Sequence, residues 1–327
     1  TYGCTDPNAC NYNQEATLSD GSCADEDSDE CNLQTYYVDK DNGDDELNNG
    51  SETQPFATIG RAIEEAMDGD LILINPGDNG VAYQENIELR GAIKLRSTEY
   101  DNATNVEDIT FSTILDGGRQ GSVIKVLDFE EGSRKDRDLP NDRYFAEIKG
   151  FTIRNGTGTM GNADIGLDPE KRYGGGIYIE DNMPFIKNNR FTSNGSIDLN
   201  QKCSEGGAIF LIATENADIN TSVVRFTDNE FSGNSAVIGK TVATRGFAGE
   251  IDLTHSHFDV VHNGGRENSE VNSYWCFSDA GNYDFSSSTG EYDAIYDPDG
   301  TLDIEINASA GCSDEPCEDN GSYVFSS

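Results

Sequence analysis

Two near-copies, "IKGFTIRNG" from Ile148 and "IKNNRFTSN" from Ile186, place four cations, Lys149, Arg154, Lys187 and Arg190, in a chain with only 22 lysines and arginines. A cluster of this kind would draw a polymer of uronic acids despite an acidic surround, because local charge steers a charged ligand toward its site. The plainer use is pairing: Glu147, Glu180, Asp181 and Glu230 stand close enough in sequence to neutralise the four and relieve self-repulsion. Tyr178 in "GGGIYI" and Phe210 in "GGAIFL" could form a two-ring stacking platform for sugars or a partner chain. Against that stand the ordinary preference of aromatic residues for strands and the alternative that a loop covers the two rings.

Metal chemistry has four candidate locations. "ADEDSDEC" sets Asp25, Asp27 and Asp29 at alternate positions, and "DPDGTLD" sets Asp297, Asp299 and Asp303 around Gly300. Either loop could aim several oxygens at calcium, a hard cation. "DKDNGDDE" carries Asp39 and Asp41, but Gly43 takes the third ligand place of an EF-hand-like loop. The chain's three histidines are His255, His257 and His262; the first two could share a strand face and bind a transition metal, except that a turn expected between them would break the alternation. Structural calcium is therefore the expected cofactor, and no organic cofactor is expected.

The surrounding composition narrows the class of partner. Sixty-one acidic residues give a net charge of −39 over 327 residues, which disfavours nucleic acid and anionic membrane surfaces. No apolar run is long enough for membrane insertion, and a chain starting at Thr1 without a charged-then-apolar leader reads as a processed or excised piece. Cys4, Cys10, Cys23, Cys31, Cys203, Cys276, Cys312 and Cys317 form an even set without a CxxC pair, which suits disulfides made outside the cytosol. Cys4, Cys10, Cys23 and Cys31 are expected to pair among themselves. Sequons at Asn49, Asn102, Asn155, Asn194, Asn220, Asn307 and Asn320 permit glycosylation.

Residues 1–34 hold too few large aliphatic side chains for a core and need disulfides, or bound metal, to hold them. Beyond them, Ile59, Ala62, Ile63, Ala66 and Met67 paint one helical stripe, so a capping helix is expected over 58–67, followed by a buried strand at Leu71 to Ile74. The segments beginning at Ile148, Ile186, Phe226 and Leu253 then repeat one pattern, in which Ile153, Phe191, Phe231 and Phe258 follow at a fixed offset. Irregular intervals between copies fit coils whose loops vary on one side. Within each coil a second strand sends Ile177, Ile179, Ile209 and Leu211 inward and leaves Tyr178 and Phe210 exposed. Asn189 and Asn229, with Ser256 in the matching place, are expected to take left-handed backbone and to hydrogen-bond from coil to coil. On the outside this leaves Lys149, Thr152 and Arg154, then Lys187, Arg190 and Thr192, then Thr227, Glu230 and Ser232.

Two resemblances extend these readings. Gly3 to Cys23, "GCTDPNACNYNQEATLSDGSC", resembles a short cysteine module of secreted and surface proteins, notably of marine bacteria, which implies an extracellular or cell-surface location. The order "YYVD…PFATI…GDLILINPG", with Tyr83 and Glu85 after an enlarged loop, resembles the opening of the secreted right-handed parallel β-helix, or pectin-lyase-like, family. The asparagines at 189 and 229 resemble that family's asparagine turn. The resemblance implies an all-β right-handed parallel β-helix of five to six coils over 35–310, closed by a tail at 311–327. It also implies a fold shared by lyases, hydrolases, adhesins and fibres. A lyase would draw its base from Lys149, Arg154, Lys187 or Arg190 and often seat calcium in clustered carboxylates, yet no carboxylate column flanks these cations. A glycoside hydrolase would need two facing carboxylates. The leading expectation is a structural or adhesive module that meets copies of itself or other extracellular proteins. A carbohydrate-active enzyme or binding module for an acidic polysaccharide is the alternative, with Tyr178, Phe210, Lys187 and Arg190 as ligand contacts.

Overall fold

The computed structural model describes residues 33–128, 145–195, 204–214, 223–236, 241–247, 250–253 and 255–258, with short pieces at 2–3, 5, 17–19, 275–277, 283–284 and 289–290. Within these the chain is almost entirely β, and its long sheets are parallel. A first sheet joins Thr35–Val38, Leu71–Ile74, Lys94–Ser97, Glu147–Lys149 and Phe185–Lys187. A second joins Ile114–Asp116, Thr152–Arg154, Arg190–Thr192, Glu230–Ser232, His257–Phe258 and Thr289–Gly290. A third joins Ile87–Arg90, Ile124–Leu127, Ile177–Glu180, Ile209–Ile212, Val242–Arg245 and Trp275–Phe277. Val223–Arg225, Glu250–Asp252 and Tyr283–Asp284 pair among themselves and take the first sheet's turn in the later part of the chain. The chain therefore visits the sheets in fixed rotation, and each strand pairs with the one a full circuit later.

Alternation explains why the circuits stack in one register. Ile148 lies beside Ile186, Ile153 beside Phe191 and then Phe231, and Ile177 beside Ile209 and then Val242. All are buried, and a slip of one residue would turn each of them to the outside. The rings of Phe191 and Phe231 stack 5.0 Å apart and nearly parallel, so the repeated phenylalanine of the sequence is an interior column.

Between the first and second sheets each circuit turns a corner, and there the chain places a side chain inside the protein to bond the next backbone. The Phe151 N–H donates to Asn189 Oδ1 at 3.1 Å, the Asn189 N–H to Asn229 Oδ1 at 2.9 Å, and the Asn229 N–H to Ser256 Oγ at 3.3 Å. The amide nitrogens bond that same preceding circuit: Asn189 Nδ2 donates to the Ile148 carbonyl and Asn229 Nδ2 to the Ile186 carbonyl. The expected left-handed backbone does not fall on Asn189 or Asn229. It belongs to the residue before each: Gly150, Asn188, Asp228 and His255, with φ between 52° and 87°. That residue bends the chain, which frees the ladder residue to stay extended and point inward.

A second ladder, not anticipated from the sequence, stands at the other end of the same strands. The Gly156 N–H donates to Asn194 Oδ1 and the Asn194 N–H to Asn234 Oδ1, while Asn194 Nδ2 and Asn234 Nδ2 donate to the Ile153 and Phe191 carbonyls. Asn155, Ser193 and Gly233 supply the preceding left-handed residue. Here the circuits approach so closely that a Cβ on Gly156 would lie 1.8 Å from the Gly175 carbonyl oxygen.

The helix Ile59–Glu65 buries Ile59 and Ala62 against the first circuit, and it is shorter at both ends than the expected 58–67. Thr58 caps it by accepting from the Arg61 N–H, and Glu85 accepts from the N–H groups of Ile59 and Gly60. Burial raises the pKa of Glu85, and those two backbone bonds oppose it. Tyr83 donates its hydroxyl to the Asn75 carbonyl and accepts from the Lys40 N–H, tying the enlarged loop to the first strand. The family-like Tyr83 and Glu85 thus act as fasteners of the closed end.

Replacing Asn229 with Ala orphans the Asn189 N–H and the Ile186 carbonyl inside the protein. The expected loss is about 1–3 kcal/mol for each orphaned group, read by urea unfolding. Asn162→Ala, at an exposed turn where the side chain accepts from Asp164, should cost only about 0.5–1 kcal/mol.

Candidate functional site

All four cations singled out from the sequence lie on outward positions, and the structure divides them between two sheets. Lys149 and Lys187 are neighbours on the first sheet, and Arg96, one circuit below Lys149, completes a basic column. Arg154 and Arg190 lie on the second sheet, where Thr152 faces Arg190 and Arg154 faces Thr192. Arg96 escaped sequence reading because a long insertion separates its strand from Glu147–Lys149. The signal was the strand "KLRS", in which apolar and basic residues alternate.

Each of these cations is matched to a carboxylate. Lys149 Nζ lies 2.8 Å from Glu147 and Arg96 Nη2 lies 2.8 Å from the same oxygen, while Arg96 Nη1 lies 3.3 Å from Asp101. Lys187 meets Asp228 at 3.3 Å, Arg154 meets Asp116 at 2.8 Å, and Arg190 meets Glu230 at 2.7 Å. Sequence proximity named Glu147 and Glu230 correctly; Glu180 instead accepts from the Tyr178 hydroxyl, and Asp181 accepts from Thr214. Lys149 is buried and lies over the Phe185 ring. Burial pulls its pKa below the ordinary lysine range, with Arg96 and Lys187 adding to the fall and Glu147 opposing it. For Glu147 burial pulls upward, but the bond and charge of Lys149 and the charge of Arg96 outweigh it, so the carboxyl titrates below its usual range. Asp116 is lowered in the same way, burial being outweighed by the Gly118 N–H, Asn155 and Arg154.

Tyr178 and Phe210 do not form an exposed platform. Their rings stack 5.9 Å apart beneath residues 159–173, where Leu167 and Tyr173 complete a second buried cluster. Outward orientation on the third sheet was read correctly; exposure was not, because the connecting loop folds back as Thr159–Met160 paired with Arg172–Tyr173, which in turn pairs with Ser204–Glu205. Glu205 anchors this cover from a fully buried position. Arg245 grips it through two bonds of 2.7 and 2.8 Å, and Lys171 approaches at 3.9 Å. Burial, with the Glu205 charge beside it, pushes the Tyr173 phenol up to about 12.

These facts bear directly on catalysis. The ion pair with Glu147 opposes the fall in the Lys149 pKa, and Lys149 is too enclosed to meet a polymer. On the second sheet Asp116 and Glu230 lie three strands apart in order, or about 14 Å at ordinary strand spacing. That exceeds the span of about 5–10 Å used by paired glycosidase carboxylates. What remains open on this sheet is a half-exposed strip of Arg154, Arg190 and Glu230, with the Arg190 guanidinium over the Phe111 ring at 4.8 Å.

Several sequence expectations lie outside the described residues: Cys4, Cys10, Cys23, Cys31, Cys203, Cys312 and Cys317, both aspartate loops (Asp25, Asp27, Asp29; Asp297, Asp299, Asp303) and His262. Cys276 falls in the strand Trp275–Phe277, where only the backbone is described. Among the described residues the Asp39 carboxylate accepts from the Asp41 and Asn42 N–H groups and from Asn75.

A family model described as "Protein of unknown function (DUF1565)" matches residues 41–264. A search of curated proteins gives no match. Among solved structures, a rhamnogalacturonan lyase aligns over 80% of this chain and 64% of its own, at 14% identity and a TM-score of 0.20. The chain therefore spans less than two thirds of that protein's length.

The two kinds of ion pair should respond differently to removal of one charge. Glu205→Gln strands Arg245 and Lys171 under the cover and should cost about 3–5 kcal/mol. Glu230→Gln, at a half-exposed pair, should cost about 0–1 kcal/mol. Thermal unfolding monitored by tyrosine fluorescence reads both.

Proposed function

The chain belongs to the DUF1565 family, and from that premise we propose that it is a right-handed parallel β-helix serving as a structural or adhesive module outside the cell. The fixed rotation of strands through three parallel sheets supports the β-helix, and the strong right-handed bias of parallel crossovers supports its hand. The observation that carries the functional reading is the fate of the outward side chains. All four candidate cations are spent on carboxylates of the same chain, and the aromatic pair is sealed by the chain's own loop. Such an arrangement stiffens a scaffold, and the one cation of the four with a lowered pKa, Lys149, is enclosed away from any polymer.

The extracellular placement rests on the eight cysteines, the GCTDP-like module and a charge of −39, which divalent cations in the surroundings would screen. Structural calcium in the two aspartate loops, disulfides at the chain's ends and contacts with copies of itself or other extracellular proteins belong to this proposal. A second reading, a carbohydrate-binding module, is favoured by one observation: the half-exposed Arg154 and Arg190 on the second sheet, with Phe111 under Arg190.

The test is incubation of the full chain with pectin and alginate, following absorbance of unsaturated products and mobility in native gels that contain the polymer. The structural reading expects no product and no retardation. Unsaturated product would establish a lyase instead. Retardation without product, abolished by Arg154→Ala with Arg190→Ala, would establish the binding module.

A further inference from the structure

We propose that Arg154 and Arg190, with the Thr192 hydroxyl, form a two-point site for a polysaccharide that carries sulfate esters; this deepens the second reading above, a carbohydrate-binding module, and rests on it. Arg154 meets Asp116 through Nε alone, and Arg190 meets Glu230 through Nε alone. Among the described residues the Nη1 and Nη2 groups of both make no hydrogen bond. Other arginines are bound differently: Arg96 commits Nε, Nη1 and Nη2 to Glu147 and Asp101, and Arg245 grips Glu205 through Nε and Nη2. On the second sheet the carboxylate therefore aims each guanidinium and leaves its end-on fork unused. That fork is the edge that takes an oxoanion through two parallel bonds.

Both forks are held in place before any ligand arrives. Asp116 is buried and fixed by the Gly118 N–H and by Asn155 Nδ2, so it holds Arg154 from a rigid point. The Arg190 guanidinium lies over the Phe111 ring at 4.8 Å. Thr152, which faces Arg190 in register, donates its hydroxyl to the Phe111 carbonyl and so secures the residue that carries the ring. The two arginine side chains remain 37% and 41% exposed, which leaves them open to a ligand. A donor fixed in advance loses less freedom on binding.

The spacing and the neighbours select the ligand. Thr152 pairs with Arg190 and Arg154 with Thr192, so the arginines are diagonal neighbours, one strand and two residues apart. Strand geometry sets their Cα atoms about 8 Å apart. Each fork thus takes its own anion, and one polymer with anions on separate sugars can reach both. A nucleic acid, with a phosphate at every step, asks for a longer run of cations than two forks in a chain of net charge −39. Thr192 stands beside Arg154, partly exposed, and its hydroxyl makes no hydrogen bond among the described residues. A sulfate ester has three terminal oxygens, two for the fork and one for that hydroxyl, whereas a carboxylate is used up by the fork alone. At physiological ionic strength charges beyond about 8 Å are largely screened, so the acidic remainder of the surface does not cancel these contacts.

The test measures binding of the full chain to immobilised dextran sulfate, unsulfated dextran and alginate by surface plasmon resonance in physiological salt. Binding to dextran sulfate is expected, with none to dextran and weaker binding to alginate. Arg154→Lys and Arg190→Lys, which keep the charge and remove the fork, should each weaken binding to dextran sulfate about tenfold. Arg90→Lys, at the exposed pair with Glu88 on the third sheet, should leave it unchanged. Thr192→Val should narrow the preference for dextran sulfate over alginate. Circular dichroism shows that these surface variants fold. Binding that survives both lysine substitutions, or a preference that Thr192→Val leaves intact, would overturn the proposal. Alginate held as tightly as dextran sulfate would overturn the sulfate assignment and leave the binding module standing; no binding to either charged polymer would overturn both.

Discussion

A backbone N–H that turns a corner inside a protein must find a partner, because leaving it bare costs as much as a lost hydrogen bond. Everything else in this chain is arranged around that requirement. At one corner the partner is the side chain of the next circuit, through Asn189, Asn229 and Ser256; at the other it is Asn194 and Asn234. Because each asparagine accepts from an N–H of the preceding circuit and donates to a carbonyl of that same circuit, the ladders fix spacing and register together. The interior columns of isoleucine and phenylalanine then supply most of the apolar burial, and outward positions on the first two sheets are released chiefly to charge balance.

That release explains the surface. With a net charge of −39 the chain has few cations to place, and it places them where a carboxylate of the same or an adjacent circuit waits. Arg96, Lys149 and Lys187 form a column whose charges are met by Glu147, Asp101 and Asp228. The most buried pairing lies at Glu205, where it holds a loop over Tyr178 and Phe210.

The repeat, the inward set and the first ladder were legible in the sequence because they rest on spacing within one short segment. "IKNNRFTSN" and "FTDNEFSGN" also contain the second ladder, Asn194 and Asn234, at a fixed distance from the first; it was overlooked because asparagine before glycine or at a segment's end reads as an ordinary turn. Which residue is left-handed was misplaced by one, since asparagine suits both the bent and the bonding position. Burial of Tyr178 and Phe210 was legible only as the alternative of a covering loop: it depends on residues 159–173 folding back across a sheet, and no local pattern shows which loop does so. The partners of Arg154 and Lys187 were hidden for a related reason, because Asp116 and Asp228 lie one circuit away, across loops of variable length.

The central claim is that the interior ladders hold the circuits in register, and native-state amide hydrogen exchange tests it most directly. The N–H groups of Phe151, Asn189, Asn229, Gly156 and Asn194 should be among the slowest in the chain, opening only with global unfolding. The Gly80 N–H, bonded in the exposed loop before Tyr83, should exchange by local opening. Ladder amides that exchange as fast as Gly80 would contradict the account.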